Sequence, residues 1–249
     1  MKHNFSLQDL VDEVEAPRVR KSGAWRIVVA GEFESGKSSA INAMLRLPIL
    51  PCNPGMSARP KIKITDAPKP KIRTEDTMGR VLEPSSLNDV LEDEFLSHCH
   101  VQMPLGDLRG VEIVEIPFHH DGKISPHDRE MMADADLIIW MTIASQAWRL
   151  SEKALIEDLP YHTREKSILA ISRADKLKAA DDLDKIEIRL QSDASKFFSE
   201  IVFMQASTEK LNKAVTSTEA WEETGGAALA SIAHELVVLP MKAAKRAAE

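Results

Sequence analysis

The sequence predicts an α/β fold in which a mostly parallel sheet carries helices on both faces, with short flanking helices near the N- and C-terminal ends. Three observations carry this expectation. Apolar runs of strand length alternate with segments of helical period from Trp25 to about residue 204. A glycine-framed phosphate-loop motif, Gly31-Glu32-Phe33-Glu34-Ser35-Gly36-Lys37-Ser38, separates the first such run from the first such helix. The composition, 43% hydrophobic and 29% charged over 249 residues, is that of an ordinary globular chain of one or two domains.

The same numbers exclude several classes. A net charge of −7 argues against a general nucleic-acid binder, because a phosphate backbone attracts a basic surface. Two cysteines, Cys52 and Cys99, cannot build a disulfide scaffold. Residues 1–15 lack the apolar core of a signal peptide, and the longest apolar run, 137–144, is broken by Thr142 and spans less than half a bilayer. The expectation is a soluble chain in the cytoplasm.

Element by element, Ser6 and Asp9 are spaced as a helix start, and Leu7, Leu10, Val11 and Val14 make one apolar stripe that Pro17 ends. A helix that short needs a surface to dock on. Strands are expected over 26–30, 110–116, 136–143, 167–171 and 201–204. Helices are expected over 38–47, 126–132, 151–158 and 181–198, the last with Leu183, Ile186, Leu190, Ala194 and Phe197 on one face. Residues 61–65 and 71–74 alternate lysine or arginine with isoleucine around Pro68 and Pro70. They read as an antiparallel pair at the sheet edge, guarded by lysines. Residues 59–80 hold seven basic and three acidic side chains. A helix is expected over 86–98. Near the end, Gly225-Gly226 breaks the chain before a stripe of Leu229, Ile232, Leu236 and Leu239, which Pro240 should stop. The predicted organisation is therefore a helix and link over 1–23, a P-loop domain over 24–214, and a helical segment over 215–249 that packs with the N-terminal helix.

The phosphate loop carries specific chemistry. Its glycines let successive backbone N–H groups close on phosphate oxygens at a helix N-terminus. Lys37 is expected to neutralise β- and γ-phosphate charge, and the Ser38 hydroxyl to ligate Mg²⁺. Gly31 to Ser38, continuing Ser39-Ala40-Ile41-Asn42-Ala43-Met44-Leu45, resembles the first guanine-nucleotide motif of the bacterial dynamin-like GTPases. Leu50-Pro51, the basic strands and the Met78-Gly79-Arg80 turn sit where that family places them. The resemblance covers residues 24 to about 210 and implies a GTPase-type P-loop domain. The family's long helical stalk finds no room in a chain of this length.

The resemblance implies three further stations. The first switch should offer a hydroxyl to Mg²⁺. Ser57 is the one hydroxyl between Pro51 and Pro60, and it is either that ligand or a plain loop serine. The second switch should read D-x-P-G, whereas this chain has Glu115-Ile116-Pro117-Phe118. Glu115 keeps the carboxylate for the Mg²⁺ site, while Phe118 removes the glycine's backbone freedom. His119 and His120 follow, as solvated loop residues or as a water-positioning group. The base-recognition station should read [NT]-K-x-D, and Ser172-Arg173-Ala174-Asp175 follows a strand. Asp175 would accept two hydrogen bonds from guanine, Arg173 would stack on the base, and Ala206 and Ser207 would lend a backbone N–H. Asp175 as a simple turn cap remains the alternative.

Other clusters carry less. His98-Cys99-His100, read at a helix end, has no second ligand pair at metal-site spacing. Glu112 and Glu115 fall on opposite faces of a strand and make no dyad. The basic strands and the C-terminal stripe leave open an anionic lipid surface or a protein partner. The expected function is GTP and GDP binding with Mg²⁺, and slow GTP hydrolysis or switching. Family members pair face to face across the nucleotide, which implies a homodimer, and the cytoplasmic face of the inner membrane is the alternative location. The competing readings are a degenerate GTPase-like scaffold with little or no hydrolysis, and a P-loop ATPase or kinase.

Overall fold

Trp25–Gly31 is apolar at every position but one, and its interior residues Ile27, Val28, Val29 and Ala30 have no exposed surface. A strand buried on both faces belongs in the middle of a sheet. The computed structural model describes residues 25–52, 60–87, 95–117, 124–177 and 180–248. The strands are β1 (Trp25–Gly31), β2 (Lys61–Asp66), β3 (Lys71–Asp76), β4 (Val81–Leu82), β5 (Leu96–Met103), β6 (Val111–Glu115), β7 (Leu137–Ile143), β8 (Ser167–Ser172) and β9 (Glu200–Phe203). They form one sheet in the order β4-β3-β5-β2-β6-β1-β7-β8-β9. From β6 through β1, β7 and β8 to β9 every pair is parallel. The wing beyond β6 is mixed: β2 runs antiparallel to β6 and parallel to β5, and β3 is antiparallel to β5 and β4.

Helices cover both faces. On one lie α1 (Lys37–Met44), α6 (Thr208–Ala214), α7 (Thr218–Glu223) and α8 (Gly226–Ala233), and on the other α2 (Pro126–Ala133), α3 (Leu150–Glu157) and α5 (Ala180–Asp193); α4 (Tyr161–Arg164) is a single turn before β8. Each face has its own core. Ile27, Val29, Ile41, Ile62 and Leu229 close one, and Val28, Trp140, Met132, Ile156 and Leu190 the other. Each such side chain, fully buried, is worth about 1.5–3 kcal/mol.

The wing corrects two expectations. Residues 96–98 are strand and not helix, because Leu96, Cys99 and Val101 face the core. Of the rest of the expected helix, residues 86, 87 and 95 are not helical, and 88–94 lie outside the described residues. In addition β2 and β3 are not neighbours. β5 lies between them, so the pair foreseen from alternation is split by a strand thirty residues further on. β2 is consequently an interior strand, and its lysines do not guard an edge. Lys61 pairs with Asp128 of α2, and Lys63 with Glu112 of β6, which also accepts from Arg26 Nε at 2.6 Å. Burial pushes the Glu112 carboxyl up, but the bonds from Lys63 and Arg26 outweigh it and hold the group below the ordinary glutamate range. On β5, burial pushes the Cys99 thiol up to about 11, and His100 Nε2 lies 2.7 Å from Thr65 Oγ1. Among the described residues no three His, Cys, Asp or Glu side chains gather as a metal site.

The C-terminal helix also differs from expectation. It does not stop at Pro240: α8 continues through a π-helical turn, His234–Val238, into α9 (Leu239–Ala248). The wide turn falls just where an α-turn would drive the proline ring against the carbonyl of Leu236. Gly226–Ala247 has the length and apolarity of a membrane span, with a mean hydropathy of 1.3. Leu229, Ala233, Val237, Val238 and Met241 are nevertheless buried in the same core as β1 and α1. The stripe is shifted from the one expected, and Leu239 is 49% exposed. The expected N-terminal partner, within residues 1–23, lies outside the described residues.

The approach of α8 to α1 is backbone-close. A Cβ on Gly226 would sit 2.3 Å from the Ala43 carbonyl oxygen, which also accepts Trp221 Nε1–H at 2.7 Å. Gly226→Ala should therefore cost about 1–3 kcal/mol despite the better helix propensity of alanine. For a chain of this size that is a fall in Tm of roughly 2–12 °C. Thermal unfolding checks it, and a Tm equal to the parent's would show that the two helices part freely.

Candidate functional site

β1 delivers the phosphate loop to the C-terminal end of the parallel strands, where ligands of such sheets bind. The chain can turn there only because Gly31 has φ +142°. A Cβ at that point would lie 2.2 Å from the Met141 carbonyl oxygen of β7. The loop then passes Glu34, at φ +56°, and reaches Gly36, which precedes α1. The first turn of α1 has no acidic residue, so the helix N-terminus and Lys37 together favour an anion. Lys37 is 8% exposed, and its Nζ donates to Gly31 O at 3.1 Å and Glu32 O at 2.9 Å, which sets the ammonium across the mouth of the loop.

The Ser38 hydroxyl bonds the Glu115 carboxylate, 2.8 Å from Oε2 and 3.0 Å from Oε1. β6 supplies Glu115 as its last residue, in register with Val29 of β1, and the side chain is 3% exposed. Two oxygen ligands expected from residues far apart in sequence thus meet. A hydroxyl and a carboxylate are hard donors and suit Mg²⁺, which favours oxygen and retains water. The third expected ligand, Ser57, lies outside the described residues, as do Phe118, His119 and His120.

Asn42 is a link that the motif did not foretell. It is 1% exposed, and its Oδ1 accepts the N–H groups of Ile49 and Leu50, while Nδ2 donates to Leu50 O and Cys52 Sγ. α1 thereby fixes the chain leading toward the expected first switch. The only sequence signal was an amide on a helix face that is otherwise core.

The segment expected to recognise the base abuts the loop. A Cβ on Gly36 would lie 3.2 Å from Ser172 Cβ, and Arg173, at φ +56°, donates Nη2–H to Glu34 O at 3.1 Å. Arg173 is tied to the phosphate loop through this bond. The Asp175 carboxylate pairs with Lys176 at 3.1 Å, and Ala174 N–H reaches Met204 O at the end of β9. Just beyond, Ala206 is half-buried, and Ser207 caps α6 by accepting from Lys210 N–H at 3.3 Å. Glu32, Phe33, Ser35 and Ser39 complete the loop. The hydroxyls of Ser35 and Ser172 are buried with no hydrogen-bond partner, on either side of its seam with β8.

A second unforeseen feature is a buried carboxylate behind the loop. Glu152, in the first turn of α3, is 1% exposed and accepts from Trp140 Nε1 at 3.0 Å, Thr142 Oγ1 at 3.2 Å and Arg149 N–H at 2.7 Å. Burial raises its carboxyl above the ordinary range, the three donors pull it back, and the Glu32 charge adds a smaller push upward. A glutamate in the first turn of the expected helix is the sequence cue.

The model of the dynamin family matches residues 27–101. That segment runs from β1 through the phosphate loop to β5. Over that segment the chain is similar to the dynamin family, and its fold is the P-loop GTPase fold. A structure of an oligomerised bacterial dynamin pair, described as sensing and tethering membranes at long range, superposes with a TM-score of 0.65 at 13% identity, over 85% of this chain and 44% of that one. A second structure described for the same pair gives 0.52 at 19% identity, over 82% and 36%. The chain spans less than half the length of either bacterial dynamin. No curated protein matches it in sequence.

Glu152 makes a pH prediction of definite sign. A raised folded-state value means that the folded chain holds the proton more tightly, so the contribution of Glu152 to stability falls as pH rises from about 4.3. The difference in Tm between the parent and Glu152→Gln should accordingly shrink between pH 4 and pH 7. A difference that grows with pH contradicts this.

Proposed function

We propose that the chain is a guanine-nucleotide-binding protein that hydrolyses GTP slowly. The observation that carries the reading is the contact of Ser38 with Glu115 beneath a phosphate loop whose mouth Lys37 spans. Lys37 and the N–H groups of α1 bind the β- and γ-phosphates, and Asp175 accepts from the guanine edge. Ser38 and Glu115 hold Mg²⁺, which when bound screens the phosphate charge. Arg173 braces the loop toward the base. The likeness to bacterial dynamins, whose known pair is oligomeric, supports a face-to-face homodimer across the nucleotide.

Slow turnover follows from the second switch. Glu115 is longer than the expected aspartate by one methylene, and Phe118 replaces the glycine that would let a backbone N–H swing to the γ-phosphate. The same Phe118 favours a second reading, a nucleotide-bound scaffold with no hydrolysis.

Calorimetry separates nucleotides first. GTP and GDP with Mg²⁺ should bind far more tightly than ATP, and Asp175→Asn should erode the preference by turning one acceptor into a donor. Equal affinity of the parent for ATP and GTP refutes the assignment of Asp175.

Turnover is the second test. Basal hydrolysis should be about 10⁻³ per second or slower, and specific activity should rise with protein concentration. Fast turnover that is unchanged on dilution would show that the second-switch substitutions do not matter.

A further inference from the structure

The phosphate loop carries its own carboxylate, Glu32, beside the seat of a polyanion. Arg149 Nη1 donates to Glu32 Oε2 at 2.7 Å, and Ser151 Oγ donates to Oε1 at 3.2 Å. Both oxygens are therefore engaged from the N-terminus of α3. The arginine is held from behind. Its N–H bonds the buried Glu152, which is anchored on Trp140 and Thr142 of β7. The residue before it, Trp148, sits at φ +61°, a strained conformation for a bulky side chain that points to function where the surroundings enforce it. Here they do: Trp148 packs on Phe197 and Phe198 with ring centroids 5.5 and 5.0 Å apart, and Arg189 Nη2 holds the Ala147 carbonyl at 2.8 Å. The strained turn aims Arg149 at the loop.

We propose that Arg149 is a positioning residue for nucleotide binding, holding the Glu32 carboxylate neutralised and turned away from the phosphates so that the loop accepts a triphosphate. This rests on the nucleotide-binding reading given above. The arginine acts through Glu32 and touches no phosphate itself. A guanidinium suits the task because it stays charged at all relevant pH and meets a carboxylate with directed N–H bonds. Because the interaction is one of charge, its loss should weigh more on a triphosphate than on a diphosphate.

The test is the affinity of the full chain for GTP and GDP with Mg²⁺, with thermal unfolding alongside. Arg149→Met keeps the apolar stem and removes the charge. It should weaken GTP about tenfold and GDP less. The double variant Glu32→Gln with Arg149→Met should bring GTP binding back to within about threefold of the parent, an outcome that a merely structural arginine would not produce. Arg149→Lys, which keeps the charge, guards against a folding defect and should lose less than Arg149→Met. If Arg149→Met binds GTP like the parent, or the double variant recovers nothing, the proposal is overturned while the nucleotide reading stands. A parent chain that binds no guanine nucleotide overturns both.

Discussion

β1 is the constraint on which the rest depends. It is hydrogen-bonded on both edges, buried on both faces, and ends against the Met141 carbonyl so closely that only glycine fits. From there the chain must turn outward, and the turn is the phosphate loop. The strands beside it deliver the other functional groups at the same level. β6 ends at Glu115, β7 leads to the turn that carries Arg149, and β8 ends at Ser172, against Gly36. The site is thus a consequence of strand order and register, and no single loop builds it.

Electrostatics decides how such a site works in an acidic chain. Glu32, Glu34 and Glu115 lie in or beneath the loop, with Lys37 and the α1 N-terminus opposed to them. A carboxylate about 4 Å from a phosphate oxygen is worth roughly 4 kcal/mol at a protein's effective dielectric, which is about a thousandfold in affinity. Repulsion of that size would defeat binding were the acids not occupied. The Arg149 guanidinium offsets Glu32, Glu115 is bonded by the Ser38 hydroxyl where Mg²⁺ would bring the opposing charge, and Glu34 holds an exposed, left-handed position at the loop's turn.

How much of this was legible follows from the range of the interactions. The phosphate loop and the parallel strands are written in local period and spacing and appear as expected, whereas α5 ends at Asp193, short of the expected 198, so that Ala194 and Phe197 are buried beyond its end. The wing is not legible in local sequence because its partners are distant. Nothing near Lys61 announces that β5 will insert beside it, or that Asp128 and Glu112 will take its lysines. The polar and apolar alternation of His98, Cys99, His100 and Val101 was present but overshadowed by the helix-like run before it. Pro240 looks like a stop in sequence because a π turn is set by packing and not by a local residue code. In the site, Lys37 and Ser38 are legible in the motif's spacing, and Glu115 only through the resemblance to a family motif. Arg149 and Asn42 are not, because each is defined by the backbone or carboxylate it reaches across the fold.

The central claim is that this loop, with Ser38 and Glu115 beneath it and Asp175 beside it, forms one guanine-nucleotide site. Thermal unfolding of the parent chain with Mg²⁺ and a large excess of GTP or of ATP tests it most directly. A ligand at about a hundred times its Kd stabilises the folded state by about 2.7 kcal/mol. That corresponds to a rise in Tm of roughly 5–11 °C for a chain of this size. The account predicts this rise with GTP and little with ATP, and equal shifts, or none with either nucleotide, would contradict it.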